Sequence, residues 1–237
     1  MDVRIGTAGW TIPAAARAHF PDTGTQLERY ARRFSVVEID SSFYRSHRVA
    51  TYERWAASVP AHFRFAVKLP KTITHDRRFV DAHEPLAHFL DETSGLGEKR
   101  DVILVQLPPT FAFDAGVVEP FLAHLRAQYG GRIACEPRHA SWFAAAADSL
   151  LRHLHIARVC ADPVPTAVNT TPGGSPDFQY WRLHGSPRVY YSSYEPPQLE
   201  AFARAIRAVD RPAWCIFDNT AFGAATPNAL MLDDAMR

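Results

Sequence analysis

The 237-residue chain is short of the features that would assign it quickly. It has three cysteines, Cys135, Cys160 and Cys215, widely spaced in apolar runs and without a CxxC pair. That argues against a disulfide framework or a zinc knuckle, and fits buried thiols in a reducing cytoplasm. No run approaches the ~18 apolar residues of a membrane span, so no membrane association is expected. The N-terminus enters "VRIGTAGW" at once, without the basic and apolar blocks of a signal peptide. There is no GxxxxGK(S/T), no GxGxxG, no HExxH and no GxSxG, so phosphate-loop, dinucleotide, zincin and serine-hydrolase readings lack their motifs. The formal net charge is +1, so no global field favours nucleic acid or membrane and any basic patch must be local.

What is present is a regular alternation. With 47% hydrophobic and 22% charged residues the chain can fill one large core. Short apolar runs at Val3–Ala8, Val36–Asp40, Phe63–Leu69, Asp101–Leu107, Arg132–Cys135, Ile156–Cys160, Gln179–His184 and Ala213–Phe217 read as strands. Helical patterns stand between them at Thr25–Phe34, Thr51–Ser58, Pro85–Ser94, Val117–Tyr129, Ala144–Leu154 and Pro197–Val209, with a last helix from about Thr226. Strand–helix alternation at this pitch means βαβ units and a parallel sheet. Eight units predict an α/β chain folded as a single (β/α)₈ TIM-barrel domain over 1–237. The competing architecture is an open doubly wound sheet. "ADPVPTAVNTTPGGSPD", residues 161–177, predicts a loop or lid in place of helix six.

"VVEIDSSFYRSH", residues 36–47, locates a candidate site. Side chains alternate along a strand, so Val36, Glu38 and Asp40 share one face. Burying carboxylates unpaired against a helix layer is costly, so they are expected to face the barrel axis near its C-terminal mouth, where such barrels keep their active sites. Other strands end the same way, in Lys68, Gln106, Glu136 with Arg138, Asp162, Arg182 with His184, and Asp218 with Asn219. The loops beyond them add Tyr44, Arg45, His47, Arg48, Lys71, His75, Arg77, Arg78, Trp142, Arg188, Tyr190, Tyr191 and Tyr194. A basic, aromatic rim on a nearly neutral chain predicts an anionic ligand: a phosphate, a carboxylate or a nucleic-acid backbone. Structural alternatives stay open for each residue. Glu38, Lys68 and Arg182 can be an ion-pair layer filling the barrel, His184 a satisfied core histidine, and Asp218–Asn219 a helix cap.

Seven stretches together resemble the YecE-like proteins, domain of unknown function 72: "IGTAGW", "VEIDSSFY", "FAVKLPKTITHDRR", "VQLPPTF", "EPRHASWF", "WRLHG" and "FDNTAFGAATPNAL". The resemblance spans nearly the whole chain and implies a (β/α)₈ barrel with no assigned reaction. Its fingerprint falls here on Thr7, Gly9, Trp10, Glu38, Ser42, Phe43, Tyr44, Lys68, Gln106, Glu136, Arg138, Trp142, Arg182, His184, Gly185 and Asn219. Relatives often read Asn-Asn where this chain has Asp218–Asn219.

These readings predict an enzyme of hydrolase, lyase or isomerase type working on an anionic small molecule, without organic cofactor; no metal ligand is assigned, although Glu38, Glu136, His184 and Asp218 could make an O/N metal site. Glu38 or Glu136 is expected as general acid or base, Lys68 as oxyanion stabiliser or amine, and His184 as proton shuttle. Arg138 and Arg182 are expected to clamp the anion, with Trp10, Tyr44, Gln106, Trp142, Asp218 and Asn219 lining the substrate site. The alternatives are a nucleic-acid-binding or nucleic-acid-processing barrel and a non-catalytic ligand-binding protein.

Overall fold

The computed structural model describes residues 2–164 and 171–237. In chain order the elements are β1 (Val3–Thr7), α1 (Gln26–Ala31), β2 (Val36–Ile39), α2 (Val49–Ala57), β3 (Arg64–Lys68), α3 (His83–Thr93), β4 (Arg100–Gln106), α4 (Ala115–Gln128) and β5 (Arg132–Glu136). They continue with α5 (Ala145–His153), β6 (Ile156–Arg158), β7 (Cys160–Asp162), β8 (Gly173–Gly174), β9 (Gln179–Leu183), α6 (Pro196–Arg207), β10 (Ala213–Phe217) and α7 (Ala225–Met236). Helix starts follow local chemistry. Thr25 and Glu28 form a reciprocal cap at α1, which is why that helix begins one residue later than its periodicity suggests.

The strands pair as two sheets, ordered β1-β10-β9-β7 and β2-β3-β4-β5-β6-β8. Every ladder is parallel except β6 with β8. The fold is therefore mixed α/β with parallel sheets, and these ladders do not form the unbroken eight-stranded ring expected from the alternation. Two seams show why. Between β1 and β2 one residue pair, Ala8 with Glu38, is bridged, supported by Gly9 N–H donating to the Glu38 carbonyl at 2.8 Å. The strand expected at Ile156–Cys160 divides at Val159: β6 pairs with β5, while β7 pairs with β9 in the other sheet. Between Asp162 and Gln179 no helix forms among the described residues, as the loop composition suggests. Residues 165–170 of that expected loop lie outside the described residues.

The period of two sorts the core. Val37, Ile39, Phe65, Val67, Ile103, Val105, Ile133, Cys135, Cys215 and Phe217 pack with residues of the helices. Their neighbours Val36, Ala66, Val102, Leu104, Ala134, Ala157, Val159, Tyr180, Trp214 and Ile216 form a second apolar cluster drawn from both sheets. Strands buried on both faces need near-continuous apolar runs, which these are. Moving two residues along the second face from Val36, Ala66, Leu104, Ala134, Tyr180 and Ile216 reaches Glu38, Lys68, Gln106, Glu136, Arg182 and Asp218. Among the described residues no helix is long and apolar enough to cross a membrane.

Candidate functional site

The polar ends of these strands meet. Arg182, on β9, lies at the centre and is fully buried. Its Nε and Nη2 donate to the two oxygens of Glu38 at 3.2 and 2.7 Å. Its Nη1 donates to Glu136 at 2.6 Å, and Nη2 also donates to Asp218 at 2.8 Å. Three carboxylates from β2, β5 and the end of β10 thus share one guanidinium. Tyr180, two residues before Arg182 on the same face, donates its hydroxyl to Glu38 at 2.8 Å.

His184 closes the network. Its Nε2 lies 2.7 Å from Glu136 and its Nδ1 3.1 Å from Asp218. An ionised carboxylate only accepts, so with Glu136 and Asp218 both ionised the two ring nitrogens donate, which is the imidazolium form. Burial acts against that charge, but the Glu136 carboxylate and the bonds to Asp218 and Glu136 outweigh it and raise the His184 pKa. For Glu136, burial acts upward, yet Arg182, His184 and Arg138 hold it well below the usual carboxylate range. Asp218 is lowered too, with burial opposed by Arg182 and His184. Glu38 goes the other way. Burial pushes it up, aided by Asp40 and Asp218, and Arg182 only partly compensates. Two glutamates on one arginine are thus driven in opposite directions.

Beyond this layer Asp40 and Arg138 come nearer to solvent, while Lys68 and Gln106 remain buried. Lys68 pairs with Asp40 at 2.8 Å and lies over the Phe43 ring at 4.2 Å. Arg138 donates to the Tyr190 hydroxyl at 3.0 Å and reaches Glu136 at 3.4 Å. Gln106 stands opposite Glu136 in register, and its side-chain amide makes no hydrogen bond among the described residues. His75, from the loop after β3, packs edge-on against Phe43. Burial lowers its pKa, and the nearby charges of Lys68 and Arg138 lower it further. Tyr190 holds a left-handed backbone (φ +70°), and its ring lies edge-on to His184 with the centroids 5.6 Å apart. Strain of that kind in a non-glycine residue costs about 1–3 kcal/mol and gathers at functional sites.

Several expected roles change. Arg182 is fully buried and gives four of its five N–H donors to carboxylates, which places it inside the network. Glu38 lies fully buried on Arg182, beyond direct substrate contact. His184 has both nitrogens engaged, which removes it as a free proton shuttle in this geometry. Trp142 is buried in the helix layer, its indole donating to the Phe111 carbonyl at 2.8 Å, because Phe111 and Phe113 edges enclose it. Asn219 is also buried, donating to the Ser192 carbonyl and to Asn228, both at 2.9 Å, and so braces the loop before α6. Trp10 is half-buried edge-on against Trp55, and Tyr44, 70% exposed, stands outside Phe43. Lys68, Gln106, Glu136, Arg138 and Asp218 are brought together. Tyr180 joins the site as well, and its parity with Arg182 is the sequence signal that places it on the same face. Among the described residues no group of three or more His, Cys, Asp or Glu is placed to hold a metal ion.

Comparison with known proteins adds the family. A model described as "Protein of unknown function DUF72" matches residues 4–237. The chain is 30% identical over 169 residues to the UPF0759 protein YecE of Escherichia coli, covering 69% of this chain and 60% of that protein. It is 31% identical over 150 residues to the UPF0759 protein YunF of Bacillus subtilis, covering 60% and 52%. The matches thus span little more than half the length of these relatives. Among solved structures, a DUF72 family protein of Enterococcus faecalis superposes with a TM-score of 0.82 at 21% identity, covering 99% of this chain and 95% of that one. A DUF72 family protein of Thermotoga maritima gives 0.80 at 23% identity, covering 99% and 98%. These likenesses concern the fold.

Proposed function

The chain belongs to the DUF72 family, which carries no reaction of its own to transfer, and we propose from the site itself that it is an acid–base enzyme acting on a small anionic substrate at the C-terminal strand ends. We read the two sheets as halves of one (β/α)₈ barrel and 1–237 as one domain. The Ala8–Glu38 bridge, the 156–162 segment that feeds both sheets and the inner cluster shared by both support this.

One observation carries the functional reading. Glu38, Glu136, Asp218, Arg182 and His184 form a buried charged layer, with Arg138 on Glu136 and the Lys68–Asp40 pair beside it. Well-packed apolar residues are often as stable or more stable than such a layer, so fold stability alone is a poor reason for it. Its use is to hold Lys68, Arg138 and Gln106 around an opening. Lys68 and Arg138 neutralise the substrate anion, and the Gln106 amide supplies a hydrogen bond. Asp40 beside Lys68 is the carboxylate nearest the reacting atoms, while Glu136 beneath Arg138 stays ionised within the layer and holds Arg138 in place. Proton transfer by such a carboxylate serves hydrolysis, elimination or isomerisation. The three cysteines are buried, which fits a reducing cytoplasm.

The test is calorimetric titration with inorganic phosphate and simple dicarboxylates. Lys68→Met removes a charge-assisted contact of about 1.5–3 kcal/mol, so affinity falls about 10- to 100-fold. Binding indifferent to Lys68→Met and Arg138→Met together contradicts the reading. The second reading, a nucleic-acid-binding or processing surface, draws on exposed Tyr44 beside Arg45. It requires affinity for single-stranded oligonucleotides that falls steeply with salt. A purely ligand-binding protein would bind the anion and turn over no member of a substrate panel.

A further inference from the structure

A groove of about 610 Å³ opens beside the candidate site, between the loops after β2 and β3 and the start of α3. It falls in the range of small-molecule sites. Phe43 is the shared wall: Lys68 lies over its ring, and the same side chain lines the groove. Beyond it the surfaces are flat and apolar, from Tyr44, Pro70, Pro85 and Phe89. The charged side chains of the groove cancel, with Arg45, Lys71 and Arg77 against Asp81, Glu84 and Glu92. An anion alone therefore gains little there. The wall is built from unusual backbone: a π-turn at Thr72–Asp76 and left-handed conformations at Arg78, Phe79 and Asp81 (φ +47°, +73° and +49°). A stack of Phe79 on Phe121, 4.1 Å apart and nearly parallel, fixes that strained loop in the core. Irregular backbone held this firmly is a mark of functional segments.

We infer that the substrate is an amphiphile, a flat ring-sized body bearing one anionic group, with the anion at Lys68 and Arg138 and the ring in this groove against Phe43 and Pro85. The inference rests on the anion-binding reading above and extends it to the substrate class. It makes Phe43, Tyr44 and Thr72 specificity-determining positions.

The test compares inorganic phosphate with phenyl phosphate by calorimetric titration of the full chain. Burying the ring is expected to make phenyl phosphate bind about tenfold tighter or more. Thr72 is exposed and lines the groove, so Thr72→Trp fills it from outside. That variant is expected to abolish the phenyl advantage and leave the affinity for inorganic phosphate within about twofold of the parent. Tyr44→Ala, also at an exposed position, is expected to reduce the phenyl advantage and decides the matter should Thr72→Trp not fold. Equal affinity for the two ligands in the parent protein, or a phenyl advantage that survives Thr72→Trp and Tyr44→Ala, overturns the groove assignment and leaves the anion site standing. Absence of binding by either ligand removes both.

Discussion

Replacing Arg182 by Met tests whether the buried layer is a working unit. The side chain is fully buried and gives four hydrogen bonds of 2.6 to 3.2 Å to Glu38, Glu136 and Asp218. Met keeps much of the volume and deletes the charge. Removing one partner of a buried pair costs about 3–5 kcal/mol, because the remaining charge is left uncompensated. Here three carboxylates lose their common cation, so the upper half of that range is expected, against a whole-domain stability of about 5–15 kcal/mol. Urea unfolding at about pH 7.5 is the assay, with the midpoint falling and the slope unchanged. At about pH 5 the loss shrinks, because carboxylates stripped of Arg182 bind protons more readily in the folded state. Adding Glu38→Gln to Arg182→Met recovers part of the loss, since one stranded charge disappears. A loss under about 1 kcal/mol, the scale of an exposed pair, with no pH dependence, refutes the buried-layer account.

Further expectations follow from the same geometry. His184 binds its proton more tightly folded than unfolded, so its stabilisation is full below the ordinary value of 6.5 and is lost as pH rises through its raised folded value. Glu136 is held low, so its contribution is present above the ordinary 4.5 and is lost as pH falls through its folded value. Urea midpoints are therefore highest between about pH 4.5 and 6.5 as far as this pair is concerned; His184→Gln flattens the alkaline limb and Glu136→Gln the acid limb, and unchanged limbs count against the pair. Trp142→Ala costs about 3–5 kcal/mol by leaving a cavity in the helix layer, while phosphate affinity of the folded protein stays unchanged; a selective affinity loss would return Trp142 to the substrate site. Gly6→Ala places a methyl 2.4 Å from the Val36 carbonyl oxygen, so it strains the junction of β1 and β2 and lowers the melting temperature by an amount matching about 1–3 kcal/mol.

Much of this site is legible from local rules. Glu38, Lys68, Gln106, Glu136, Arg182 and Asp218 all follow from one parity argument, because inward direction and position along a strand are local properties. The same rule sets Asp162 apart: it follows Cys160 on the helix-facing side, where its carboxylate accepts from Tyr194 at 2.8 Å. What parity does not contain is the pairing among four strands. That Arg182 is used up by Glu38, Glu136 and Asp218 is a contact between residues 36 to 144 positions apart. Burial of Trp142 depends on Phe111 and Phe113 from another loop. The change of partner at Val159 depends on which strand is nearer on each side, information the run "IARVC" does not carry.

The central claim is that the opening above the buried layer holds an anion between Lys68 and Arg138. A crystal structure determined after soaking in phosphate measures this directly. The account predicts tetrahedral density with oxygens about 2.7–3.0 Å from Lys68 Nζ and from an Arg138 guanidinium nitrogen, and Gln106 turned towards it. Phosphate bound only at surface arginines, with Lys68 still closed on Asp40 and the opening filled by water, would contradict it.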